Sequence, residues 1–176
     1  MAKVGVLNAL PQVNLPFIQS KVCAGEMFRT VLFYQGITDG EIKRLLFVTG
    51  DRAVHTFCQF SMEGPMYITF CENPVVATSG TSVSGYNLNR SSPNTPKALM
   101  YKDATFSSTG TTLVNRYVVG QTAGGTGVSR VLLSMSEVSP GSEVILDTAT
   151  LYTMMFTNAA KSNQSMNIMF DFFEEK

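Results

Sequence analysis

Turn-forming residues interrupt this chain so often that no apolar run outgrows a β-strand. Gln35-Gly36, Asp39-Gly40, Thr49-Gly50-Asp51, Glu63-Gly64-Pro65, Ser108-Thr109-Gly110 and Ser139-Pro140-Gly141-Ser142 divide it. Gly accepts positive φ and Pro pre-sets a turn, so each cluster ends an element. Between them lie strand-like segments: Gly25–Tyr34, Ala53–Phe60, Met66–Glu72, Ala98–Ser107, Thr111–Gly120, Ser129–Met135, Leu151–Thr157 and Ser165–Phe173. Ile42–Val48 is ambiguous, because Glu41–Leu46 could form a short helical turn before the β-rich residues that follow. Ala53–Phe60 and Met66–Glu72 are expected to form a hairpin. Eight or nine short strands without an evident helix predict an all-β fold, an antiparallel, jelly-roll-like β-sandwich. Val76–Thr81 and Ala104–Thr112 echo each other weakly, and read as two similar hairpin corners rather than a repeat.

The 176 residues suit one domain with an arm. Residues 1–22 read as an extended N-terminal arm, with Pro11 and Pro16 fixing φ and removing donors. Leu10, Val13, Leu15 and Phe17 in that arm call for burial, on the chain's own body or on a neighbour. Residues 23–176 then form the sandwich. Within it, Thr78–Pro96 is rich in Gly, Ser, Thr and Asn and too long for a tight turn. It reads as a docking loop carrying Tyr86, Asn87, Asn89 and Arg90.

The last two segments have apolar residues on both faces. Tyr152, Met154 and Phe156 oppose Leu151 and Met155; Met166, Ile168, Phe170 and Phe172 oppose Met169 and Phe173. A strand with one face in water should alternate cleanly. A second buried surface is therefore expected, formed by other copies packing on Leu151, Met155, Met169 and Phe173. A homotrimer is the expected form.

Charge narrows the partners. Thirteen Lys and Arg balance thirteen Asp and Glu, and charged residues are only 15% of the chain. Nucleic-acid binding by phosphate neutralisation and polybasic membrane binding both need a basic excess. No apolar run approaches the roughly 18 residues of a spanning helix. The N-terminus is a poor export signal, so synthesis and assembly in a cytoplasm are expected. Cys23, Cys58 and Cys71 show no metal-ligand spacing, although Cys58 and Cys71 could face each other across adjacent strands. His55 is the sole imidazole, and no nucleophile motif accompanies it. The chain lacks Trp, which weakens a glycosidase reading of its carboxylates. Gln121–Gly127 resembles a phosphate loop in composition alone, and Asn163-Gln164-Ser165 matches a glycosylation acceptor by chance. No catalytic residue, metal or cofactor is expected.

A resemblance emerges from the ordered set Phe47–Asp51 with His55, Tyr67–Pro74, Gly80-Thr81, Asn87–Arg90, Gly110-Thr111, Leu151–Asn158 and Asn167–Glu174. Over residues 45–174 the chain resembles small tailed-phage structural proteins: capsid decoration (cement) or head-fibre proteins. Where those end in a Trp-Tyr-Glu-like strand, this chain has Phe172-Phe173-Glu174. The resemblance implies a non-enzymatic virion component at the capsid surface, often trimeric, bound to a major capsid protein. An extended arm suits that role, because it adds contact area without a larger fold. The rival expectation is a tail or fibre module that recognises host glycans through Tyr86 or Tyr101.

Overall fold

The computed structural model describes residues 17–118, 129–132 and 144–175. Leu10, Pro11, Val13 and Leu15, the Gln121–Gly127 tip and the Ser139–Ser142 turn lie outside them. Among these residues one short helix, α1 (Phe17–Cys23), precedes fourteen strands. These are β1 (Met27–Ile37), β2 (Ile42–Val48), β3 (Val54–Met62), β4 (Met66–Glu72), β5 (Val75–Thr78), β6 (Thr81–Val83) and β7 (Tyr86–Asn87). Then follow β8 (Leu99–Lys102), β9 (Thr105–Ser108), β10 (Thr111–Val118), β11 (Ser129–Leu132), β12 (Val144–Leu146), β13 (Leu151–Asn158) and β14 (Gln164–Glu174). The helix corrects one expectation: the last residues of the supposed extended arm coil. Ile42–Val48 resolves as strand.

The strands form an all-β sandwich of two six-stranded antiparallel sheets. One runs β11-β3-β14-β1-β7, with β12 also paired to β3. The other runs β10-β4-β13-β2-β8-β6. The first four strands alternate between sheets, as do the last two. The expected β3–β4 hairpin therefore does not exist: the Glu63-Gly64-Pro65 turn carries the chain from one sheet to the other. Both strands bury one face, and an arch lets those faces meet across the core. Each instead finds a distant antiparallel partner, β3 with β14 and β4 with β13.

Alternation along each strand builds the core. Phe28, Leu32 and Tyr34 of β1 point inward with Ile168, Phe170 and Phe172 of β14. They meet Leu45, Phe47, Ile68, Phe70, Met154 and Phe156 from the other sheet. Phe60 packs edge-on to Phe156 across the gap, with centroids 5.2 Å apart. Fully burying each such side chain contributes about 1.5–3 kcal/mol. Cys58 lies in this core, where desolvation pushes its thiol well up and keeps it protonated. Cys71 lies on the other sheet, so the two cysteines do not face each other across adjacent strands. Both thiols are free.

The two echoing segments pair with each other. β5 and β9 form a separate two-stranded ribbon. β4 enters it through Asn73 (φ 54°) and β8 through Asp103 (φ 60°). Each ribbon strand leaves through a glycine, Gly80 (φ 81°) or Gly110 (φ 79°). The exits then cross: β6 returns to pair with β8, and β10 returns to pair with β4. A Cβ on Gly110 would collide with the Glu72 carbonyl, and one on Gly80 with the Lys102 carbonyl. The crossing thus demands glycine for both conformation and space.

Candidate functional site

Where β14 ends, its outward side chain Phe173 sits between Met27 of β1 and His55 of β3. The Phe173 ring stacks on His55 at 4.3 Å and meets Phe17 edge-on at 5.4 Å. Lys21 Nζ lies 4.9 Å from the Phe173 centroid and pairs with Glu26 at 3.1 Å. His55 Nε2 lies 2.7 Å from Glu175 Oε1. Seven residues make a marginal helix alone. This aromatic and ionic set gives α1 a reason to form, and Phe17 belongs to it while staying 57% exposed.

The same geometry corrects the expected oligomer face at Phe173. Phe173 is 2% exposed in a single chain, so α1 covers it and no other copy is needed. Leu151, Met155 and Met169 are half-buried. β13 and β14 are central strands, and neighbours on both sides shield their outward side chains. Apolar residues on both faces of these strands fit their central position in the sheets.

The docking loop is also largely consumed by the fold. Asn87 is buried; its Nδ2 donates to the Gly25 carbonyl at 2.8 Å and the Asn94 carbonyl at 3.2 Å. Its Oδ1 accepts from the Asn89 N–H at 2.9 Å. Asn89 Nδ2 donates to the Cys23 carbonyl at 3.1 Å. These two side chains pin the loop to the corner between α1 and β1; burial corrects the assignment of Asn87 as a contact residue, while Asn89 is half-buried. Tyr86 and Arg90 stay exposed, with the guanidinium 5.7 Å from the Tyr86 centroid.

A cleft of about 550 Å³ lies beside this corner, lined by Glu26, Phe28, Arg52, Asn94, Lys97 and Glu174 among others. Several of its polar groups are tied to the fold. Glu174 Oε1 accepts from the Lys97 and Ala98 N–H groups, both at 2.7 Å. Lys97 Nζ pairs with Asp51 at 3.0 Å, and this contact and its hydrogen bonds hold the exposed Asp51 carboxyl below the usual range. Among the described residues, no group of three His, Cys, Asp or Glu is placed to hold a metal ion. No helix among them is long and apolar enough to cross a membrane.

Besides Phe17 and Tyr86, exposed apolar side chains lie at positions the sequence reading did not single out. On the outer face of the first sheet, Val31 is 45% exposed and Phe33 65%. On the second, Tyr67 and Tyr117 stand opposite each other on β4 and β10, rings 4.8 Å apart. The criterion applied to the last strands would have found the first pair, because Leu32 and Tyr34 alternate with Val31 and Phe33. Next to Val31, Arg29 makes a two-pronged pair with Asp171, both contacts at 2.6 Å, which raises the guanidinium pKa further. No protein-family model matches the chain, and no curated protein matches it in sequence.

Proposed function

We propose that this chain is a non-enzymatic virion structural protein, a decoration protein that binds the outer surface of a phage head as an oligomer. The strand order carries this reading. β1-β14-β3 with β11 and β12 faces β2-β13-β4-β10, the order of a jelly roll, with β5–β9 and β6–β8 as additions. Jelly rolls recur in viral capsid and lectin domains. Exposed Val31, Phe33, Tyr67 and Tyr117 supply surface for protein contact. His55 supports a structural role, enclosed between Phe173 and Glu175.

The lectin branch of that fold keeps a second reading in view, a tail or fibre module for host glycans. Tyr86 beside the loop groove favours it. Against it, the Asn87 and Asn89 side chains spend hydrogen-bonding groups on the fold. Copy number separates the two. Quantitative mass spectrometry of particles purified from the source is expected to find hundreds of copies per particle. A handful of copies, located at the tail, would support the glycan module, and particles lacking the chain would overturn both.

A further inference from the structure

The outer face of the first sheet stays apolar beyond the end that α1 covers. Cross-strand partners share a face, so Met27, Val31 and Phe33 of β1 stand with Phe173 and Met169 of β14. The two-pronged Arg29–Asp171 pair divides this strip. On the α1 side, Met27 and Phe173 are buried. On the other side, Val31 and Phe33 are exposed and Met169 is half-buried.

The chain enters this face at Phe17, whose ring already packs on Phe173. The residues just before it lie outside the described ones and read Pro11-Gln12-Val13-Asn14-Leu15-Pro16. Taken at period two, Phe17, Leu15, Val13 and Pro11 form an apolar stripe, with Asn14 and Gln12 on the opposite side. Pro11 and Pro16 favour extended backbone. In extended chain each two-residue step advances about 6.6 Å, the spacing between successive rows of one sheet face. Three such steps lead from Phe173 to Asn167, the partner of Phe33, and three lead from Phe17 back to Pro11.

We infer that residues 11–16 lie across the outer face of β14 and β1 of their own chain and continue the contact that α1 begins. Leu15 falls on the Arg29–Asp171 row, Val13 on Met169 and Val31, and Pro11 on Phe33. Attachment selects this occupant. Val13 is four residues from a side chain already seated on the face, which sets its effective concentration there at about millimolar. A second copy or a free protein has to exceed that to compete. Chemistry agrees: residues 11–16 carry no charge, and the two charges along the strip neutralise each other. In the free chain the arm is therefore a cover, and a partner that docks on Val31 and Phe33 first displaces it. This packing is independent of the virion reading.

Crosslinking and dye binding test it on the full chain. In a Cys23→Ser background the other two cysteines are buried. There, Val13→Cys with Val31→Cys should be bridged within one chain by a bismaleimide of about 10 Å, the spacing of packed layers. Val13→Cys with Tyr117→Cys, on the other sheet, should not be bridged. Val13→Asp should raise ANS fluorescence several-fold by uncovering apolar surface. The same substitution should raise it little in a Val31→Thr/Phe33→Thr chain, and circular dichroism confirms that each variant folds. Failure to link Val13→Cys to Val31→Cys, or a link that joins two chains, would overturn the inference. So would a dye response that is absent, or one that persists without Val31 and Phe33 and thereby reports a disturbed α1.

Discussion

Gly110 and Gly36 share a left-handed backbone, with φ of 79° and 67°, but not their surroundings. Nothing lies within 4 Å of a Cβ built on Gly36, whereas one on Gly110 meets the carbonyl of Glu72 and the backbone of Asn73. Gly36→Ala should cost only the conformational penalty, about 1–2 kcal/mol. Gly110→Ala adds a backbone collision at the crossing and should exceed about 4 kcal/mol, the range that marks a disrupted structure. Urea unfolding of the two variants measures the difference; equal losses would mean that the crossing has room to relax. At this scale the sequence was partly legible. It marked Gly110 as a turn residue, since glycine there follows Ser and Thr between two strand-like runs. It could not show which carbonyl passes beneath it, because Glu72 comes from a strand 38 positions earlier.

Elements were legible singly and mostly illegible in pairs. Period-two runs and turn clusters located most of the strands, but nearest-neighbour pairing placed β3 beside β4. A turn signal states that the chain reverses, not whether it reverses within a sheet or between sheets. α1 escaped notice because seven residues hold too little periodicity to register. Its support comes from the far end of the chain, from Phe173, which in turn stacks on His55. That dependence predicts the effect of shortening one side chain. Phe17→Ala removes an edge-on ring contact with Phe173, and such pairs contribute about 0.5–1.5 kcal/mol. Thermal unfolding should show a loss of that order, with α1 amides exchanging faster while β13 and β14 keep their protection. An unchanged helix would mean that Lys21 and Glu26 hold it unaided.

The whole molecule has zero formal charge and few ionised groups. Its self-association should therefore respond to salt as apolar contact does, holding or strengthening between about 0.1 and 1 M, where screening would weaken an ionic interface. A sedimentation series in sodium chloride and in sodium sulfate checks this, and dissociation by salt would point to charged contacts instead. The crossed ribbon has its own consequence at this scale. Each excursion from the second sheet is tied down by the strand that launched the other, so neither can peel away alone. A pull on either one is shared by both, as in a buckle, and the fold gains resistance to tearing in a region with few buried side chains of its own.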